Sequence, residues 1–371
     1  MVTKPERRHY IDWLRALAVL TLFAFHTTRI FDIWENFYVK NDHVSFVLSH
    51  IFIAPINPWF MPLFFFLAGA STSLAMRFRS GGQYAKERFK RLFIPSIFGL
   101  LLFIPPQSYF GLRNHSTYAE SFLKYYPHFF KIIPEDIEGY YLGGFTLAHL
   151  WFIFYLFMFS LVALPLFLYL RRNTLLIDWL AAFFARSRMI FLLAVPLIIT
   201  KWVLDFNPNP LYFITFFIYG YIMLTDERLE KAIERNKSVA LIAGLLIYGS
   251  IQMLKYGLDI PIPNWLVMIL KFIYGFAPWL FLIALLGYGK QHLNFTNQYL
   301  SYVIAASYPF YILHQTVIVI IGFYVVQWNT SILVKFVTIL VCAFTITALL
   351  YDLLVKRINM TRFLFGMKSR E

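Results

Sequence analysis

The chain contains one cysteine, Cys342, inside an apolar run, so it can form neither an internal disulfide nor a cysteine-based metal cluster. Charge is scarce too: Asp, Glu, Lys and Arg make up 14% of the residues, where a soluble domain carries about 25%. There is no phosphate-binding GxxxxGK[ST] loop, no GxGxxG after a strand, no CxxC pair and no HExxH. These absences argue against a P-loop pump and against a zinc enzyme. No solenoid period, low-complexity tract or match between the two halves is visible.

Apolar residues fill the space that charge leaves. They make up 60% of the 371 residues and recur in runs long enough to cross a hydrocarbon core of roughly 30 Å as helices. The pattern predicts an all-α integral membrane protein, one polytopic domain over residues 1–371. About ten spans are expected, near 11–31, 50–76, 92–110, 146–170, 189–204, 210–224, 238–256, 264–287, 300–325 and 331–355. The basic N-terminus (Lys4, Arg7, Arg8) precedes an apolar stretch without a small-residue cleavage site, which reads as a retained first span. With that end inside, 23 lysines and arginines fall in inner segments and 4 in outer loops, which favours ten spans with both termini cytoplasmic. Trp34, Trp59, Trp265 and Trp328 fall near the expected outer boundaries. The formal charge of +14 sits in short clusters between the runs, a mark of topology and not of nucleic-acid binding.

An ionisable side chain inside a span costs at least roughly 2.5–3.5 kcal/mol, so it usually faces a cavity or a partner. The first span carries Asp12, Arg15, His26 and Arg29. Arg15 and His26 are eleven residues apart, three helical turns plus about 20°, so they share a stripe with a rise of about 16 Å. Asp12, one turn below Arg15, can pair with it; the plain alternative is an interfacial ion pair that snorkels. His26 has no snorkelling route, and imidazole is the side chain best suited to proton transfer near neutral pH. His149, followed by Trp151, opens the fourth span, and His314 with Gln315 interrupts the ninth; either histidine can equally be a helix-packing hydrogen bond. Lys201 with Asp205 has the i,i+4 spacing of an interfacial pair, whereas Lys271, Lys335 and Asp352 show no partner by spacing.

The inner loop 77–91 places Arg77, Arg79, Lys86, Arg88, Lys90 and Arg91 against Glu87. It reads as a topology determinant or as a site for an anionic ligand, with Arg88 and Arg91 on one helical face and Gly81-Gly82 letting the backbone approach. The outer loop 111–145, with His115, His128, Glu135, Asp136 and Glu138, is long enough for a lid or docking surface. The segment 225–237 reads as a charged amphipathic helix.

The run from Tyr10 to His26, with Asp12, Arg15 and a histidine after ten further residues, resembles the first-helix signature of the acyltransferase-three membrane family. Phe64 to Gly69, Arg88 to Pro95, His149 to Trp151 and Tyr311 to Gln315 follow in the order of that family, and the likeness covers about residues 8 to 320. The Asp-x-x-Arg start, the His-Leu-Trp segment and the lack of an appended hydrolase-like domain are similar to its glucan-modifying branch. The resemblance implies an O-acyltransferase of the cell (plasma or inner) membrane. It would move an acetyl or succinyl group from cytoplasmic acetyl-CoA or succinyl-CoA to a hydroxyl of a glycan or similar acceptor at the outer side. On that reading Arg88, Lys90 and Arg91 hold the donor. His26 is general base or a transient acyl carrier, Arg15 positions the donor or stabilises charge, and Asp12 orients Arg15. His149, Trp151 and His314 stand on the acceptor side. No permanent cofactor, metal or nucleic acid is expected beside the bilayer, the acyl-CoA and the acceptor; the oligomeric state stays open.

A carrier for a glycan precursor or organic anion is the first competitor. Its inverted repeats should show matching broken helices, and the interruptions at Pro55 to Pro58 and Pro208 to Pro210 are not in corresponding positions. A non-catalytic scaffold is the second, and would tolerate glutamine at position 26.

Overall fold

The computed structural model describes residues 8–137, 139–204, 206–254 and 263–370. Among these residues the chain is helical, 77% overall, and has no strand. Helix α1 is His9–Arg29, α2 Phe46–Met76 and α3 Gly81–His115. Ala148–Val162 (α4) and Leu164–Arg172 (α5) meet at a 46° bend, and Thr174–Phe184 (α6) and Met189–Val203 (α7) at 114°. Pro210–Met223 (α8), Glu227–Gln252 (α9), Asn264–His292 (α10), Gln298–Val325 (α11) and Ile332–Val355 (α12) complete the long elements.

Among the described residues five helices are long and apolar enough to cross a membrane, or up to seven if each bent pair is one span. This is a multi-pass membrane protein. Three of the ten expected segments fall short of that standard. Asp12, Arg15 and Arg29 make α1 polar, α8 has only 14 residues, and the first turns of α9 are charged.

Two segments differ from their sequence reading. The basic loop 77–91 is mostly helix, because Gly81 and Gly82 lie inside the first turn of α3 instead of forming a flexible approach. Pro95 cannot donate a backbone hydrogen bond, and one widened turn at Phe89–Phe93 absorbs the break. The expected inner loop 171–188 contains α6, capped by Asn173, whose Oδ1 accepts from Leu176 N at 3.1 Å. Leu175 and Trp179 on it are exposed. The charged segment 225–237 continues without a break into α9. Asp205 and Glu138 lie outside the described residues, and with Asp205 the expected Lys201 pair.

The chain divides into two compact units. The first is Met1–Arg15, Ile56–Ala85 and Met158–Leu300; the second is Ala16–Pro55, Lys86–Phe157 and Ser301–Glu371. In the first, α2 and α8 cross where Gly69 faces the Phe217 carbonyl and Gly220 faces the Phe66 carbonyl. Buried Trp279 donates from Nε1 to Ile190 O at 2.9 Å, tying α10 to the start of α7. Glu230 on α9 is buried and takes up the guanidinium of Arg8.

Asp226 caps α9 by accepting from Arg228 N at 2.8 Å. The Arg228 side chain, bonded to both Asp226 and Asp178, holds the Asp226 carboxyl below the usual range. Replacing Asp226 with alanine is expected to cost about 1 kcal/mol at neutral pH. Because the folded-state pKa is depressed, that contribution is complete above the ordinary value of 3.8 and is lost as pH falls through the lower folded value. Thermal unfolding in nanodiscs reads it; equal midpoints at pH 7 would show that the cap carries no stability.

In the second unit, buried Lys335 on α12 donates to Asn41 Oδ1 at 2.8 Å and Val326 O at 2.7 Å, so its charge is spent on holding a turn. Asp352 accepts from Tyr302 Oη at 2.9 Å. The loop expected at the outer side is ordered by Asp136, which accepts from Leu142 N and Gly144 N. Gly143 there has a φ of +87° and takes a 2.7 Å bond from Tyr125 Oη on its carbonyl.

Candidate active site

His26, His149 and His314 come from α1, α4 and α11, and all three belong to the second unit. The His314 ring centroid lies 5.1 Å from that of His26 and 5.1 Å from that of His149. His314 is 0% exposed and His149 6%, while His26 is partly open. The three were separate candidates in the sequence; packing makes them one cluster.

Backbone hydrogen bonds fix two of the rings. His149 faces Ile312 O through Nε2 at 3.1 Å, and His314 faces Tyr311 O through Nδ1 at 2.7 Å and Phe310 O at 3.2 Å. A carbonyl can only accept, so each of these nitrogens carries the proton in the neutral ring. The lone pairs are left on His149 Nδ1 and His314 Nε2. Those two atoms and His26 Nδ1 are buried and find no hydrogen-bond partner among the described residues. The bond across helices expected of a packing histidine is thus present for His149, whereas His314 bonds back to its own helix, and in each case the other ring nitrogen is left without a partner.

The surroundings are mixed. Phe37 stacks on His26 at 6.0 Å, and Phe23 lies 5.7 Å from His314. Tyr311 donates from Oη to the His149 carbonyl. Next to His314 is a buried amide network: Gln315 Nε2 donates to Gln107 Oε1 at 3.0 Å, and Gln107 Nε2 donates to Thr316 Oγ1 at 2.7 Å. Above His26, Asp32 receives Arg29 at 2.6 Å and Lys40 at 3.2 Å, a knot that braces the turn after α1. Burial pulls the Lys40 ammonium below its usual range, and Asp32 opposes that shift. Tyr141, from the loop that Asp136 orders, reaches this turn, donating to Asn36 O at 3.2 Å; burial pushes its phenol up to about 12, so it stays a neutral donor. Asp32, Lys40, Gln107 and Tyr141 were not singled out from sequence, because each acquires meaning only from a partner far along the chain.

The other candidates fall elsewhere. Trp151 sits at the start of α4 against Tyr155, with rings 5.4 Å apart. Asp12 and Arg15 are in the first unit, where Asp12 Oδ1 is 3.7 Å from Arg15 Nη1 and Arg15 donates to Ser71 Oγ and Leu67 O. Arg88, Lys90 and Arg91 lie near the start of α3, with Arg91 Nε 3.2 Å from Glu87 Oε1 and Lys90 exposed. Eight residues on, Gly99 lets α3 close onto Leu150 and Ile312, neighbours of the histidines. The basic end of α3 is therefore about 12 Å below that level along the helix axis. Among the described residues no group of three or more His, Cys, Asp or Glu side chains is arranged to hold a metal ion.

Comparison with known proteins places this cluster in context. No solved structure matches the chain. The glucans biosynthesis protein C of Salmonella schwarzengrund and that of Salmonella agona are each 23% identical over 390 aligned positions, covering 98% of this chain and 95% of theirs. The model of an acyltransferase domain family matches residues 8–352, so the chain belongs to the acyltransferase-three family and is a membrane acyltransferase.

Proposed function

We propose that this enzyme is an O-acyltransferase that takes an acetyl or succinyl group from a cytoplasmic coenzyme A thioester and delivers it to a glycan hydroxyl at the outer face. The observation that carries the reading is the histidine cluster, which brings buried, unpartnered ring nitrogens of His26, His149 and His314 from three helices together. His26 Nε2 takes the proton of the acceptor hydroxyl as its oxygen attacks the thioester carbonyl. The C–S bond breaks, and the thiolate recovers the proton from His26. A positioned base of this kind contributes roughly 10²–10⁴ in rate. Arg15 positions the donor or offsets the oxyanion, and Asp12 orients Arg15. The names of the relatives favour a glucan as the acceptor, with His149, Trp151 and His314 on its side. The reading also takes ten spans with both termini cytoplasmic, supported by the bias of Lys and Arg among the loops, and a place in the cell membrane.

The donor's phosphates rest on Arg88, Lys90 and Arg91, since guanidinium groups bind phosphate bidentately. A pantetheine arm is long enough for the rise from Arg91 to the level of the cluster. Arg91→Ala is expected to weaken acyl-CoA binding about 10- to 100-fold, the loss of roughly 1.5–3 kcal/mol for a charged hydrogen bond. Calorimetric titration of purified protein with acetyl-CoA and succinyl-CoA measures it. If wild-type protein neither binds nor turns over either thioester, the donor assignment fails and transport assays on the same preparation become the next step.

A further inference from the structure

We infer that His314 is a positioning residue for His26: its Nε2 accepts the Nδ1–H of His26 and so keeps the His26 Nε2 lone pair free to act as base. The inference rests on the acyltransferase reading with His26 as base. The cluster holds three buried ring nitrogens without a hydrogen-bond partner among the described residues, and two of them, on His149 and His314, carry lone pairs. His149 spends its N–H on Ile312 O, and His314 spends its own on Tyr311 O and Phe310 O. A lone pair on His26 Nδ1 would face lone pairs on His149 Nδ1 and His314 Nε2, so the tautomer with hydrogen on Nδ1 is favoured. An N–H···N bond of about 2.9 Å between two five-membered rings puts their centroids about 5 Å apart, and the His26 and His314 centroids are 5.1 Å apart with planes at 49°. His26 Nδ1 and His314 Nε2 are not bonded to each other in this state; the bond would close by turning of the His26 ring when substrate binds, as catalytic hydrogen bonds often do. His314 would then hold the tautomer of a base, as a buried carboxylate does in hydrolase triads. As His26 passes its proton from acceptor oxygen to departing sulfur, the Nδ1–H stays on His26, so His314 remains neutral throughout.

The test uses full-length protein in nanodiscs with ¹⁵N-labelled histidine, the His26 signals being assigned by their loss in His26→Gln. Wild-type His26 is expected as the Nδ1–H tautomer at neutral pH, and His314→Phe should shift it toward Nε2–H. His314→Phe should also lower kcat about 10²-fold or more, with the KM for acyl-CoA changed less than about threefold. His314→Gln, whose amide oxygen can accept the same hydrogen, should recover at least about tenfold of the lost kcat. A wild-type His26 found as Nε2–H overturns the inference whatever the variants do, as does a tautomer that His314→Phe leaves unchanged. The spectrum is read without turnover, so a preparation inactive with every acyl-CoA would sink the donor reading while leaving this measurement intact.

Discussion

His26→Ala is expected to lower acyl transfer about 10²- to 10⁴-fold while acyl-CoA still binds within about threefold of wild type. The two effects separate because the groups proposed to hold the donor's phosphates, Arg88, Lys90 and Arg91, are on α3, whereas the imidazole removed is on α1. Alanine also takes away the ring that stacks on Phe37 at 6.0 Å, so stability has to be measured alongside activity. His26→Gln serves that purpose: it keeps much of the volume and a hydrogen-bonding end but has no basic nitrogen. A base predicts that Gln is nearly as inactive as Ala; a packing histidine predicts that Gln is nearly as active as wild type. Release of free coenzyme A in the presence and absence of acceptor gives the rate, and a thermal unfolding midpoint guards against misfolding. Turnover within threefold of wild type in both variants would remove His26 from the chemistry and shift attention to His149 Nδ1 and His314 Nε2, the other unpartnered nitrogens of the cluster.

The sequence was most informative where chemistry contradicts environment. A histidine or arginine in an apolar run is costly wherever the run folds, so Arg15, His26, His149 and His314 could be singled out with no knowledge of packing. Helical spacing was enough for the pair within one helix: Asp12 and Arg15 do lie 3.7 Å apart. Spacing is silent across helices, and for that reason the meeting of three histidines from positions 26, 149 and 314, and the Gln107–Gln315 bond, could not be read. Lys335 likewise showed no partner until the fold supplied Asn41; Asp352, read as having none by spacing, in fact pairs with Lys356 at i,i+4, 3.4 Å away, besides accepting from Tyr302. Hydropathy misjudged α6 for a different reason. Its flanking arginines predict an inner loop by charge, but its own eleven residues form a short apolar helix that meets α7 at 114°, and loop charge does not register such an element.

Glycine showed the same limit: the Phe64 to Gly69 segment marked a family resemblance without a physical reason, and the crossing of α2 and α8 supplies one. A Cβ added at Gly220 would lie 1.9 Å from the Phe66 carbonyl oxygen and 3.0 Å from Ala70 N; one at Gly69 would lie 1.9 Å from Phe217 O. The obstacle in each case is backbone, which cannot swing aside as a flexible side chain does. Ordinary carbon-to-carbonyl contacts stand at about 3.3–3.6 Å, so the helices would have to part by more than an ångström. Parting them opens the contacts of buried Phe65, Phe66, Phe216 and Phe217. Between membrane helices there is little hydrophobic force to compensate, because close packing of small residues is itself the attraction. Gly220→Val is therefore expected to cost more than about 3 kcal/mol, the upper range for overpacking, and to yield protein that aggregates in detergent or unfolds well below wild type. Gly82→Ala is the matched control: a Cβ there meets nothing within 4 Å, and helix propensity predicts a gain of about 0.5–1 kcal/mol. Size-exclusion profiles and thermal midpoints of the two variants decide the matter. A monodisperse Gly220→Val protein with the wild-type midpoint would mean that α2 and α8 are not locked at this crossing.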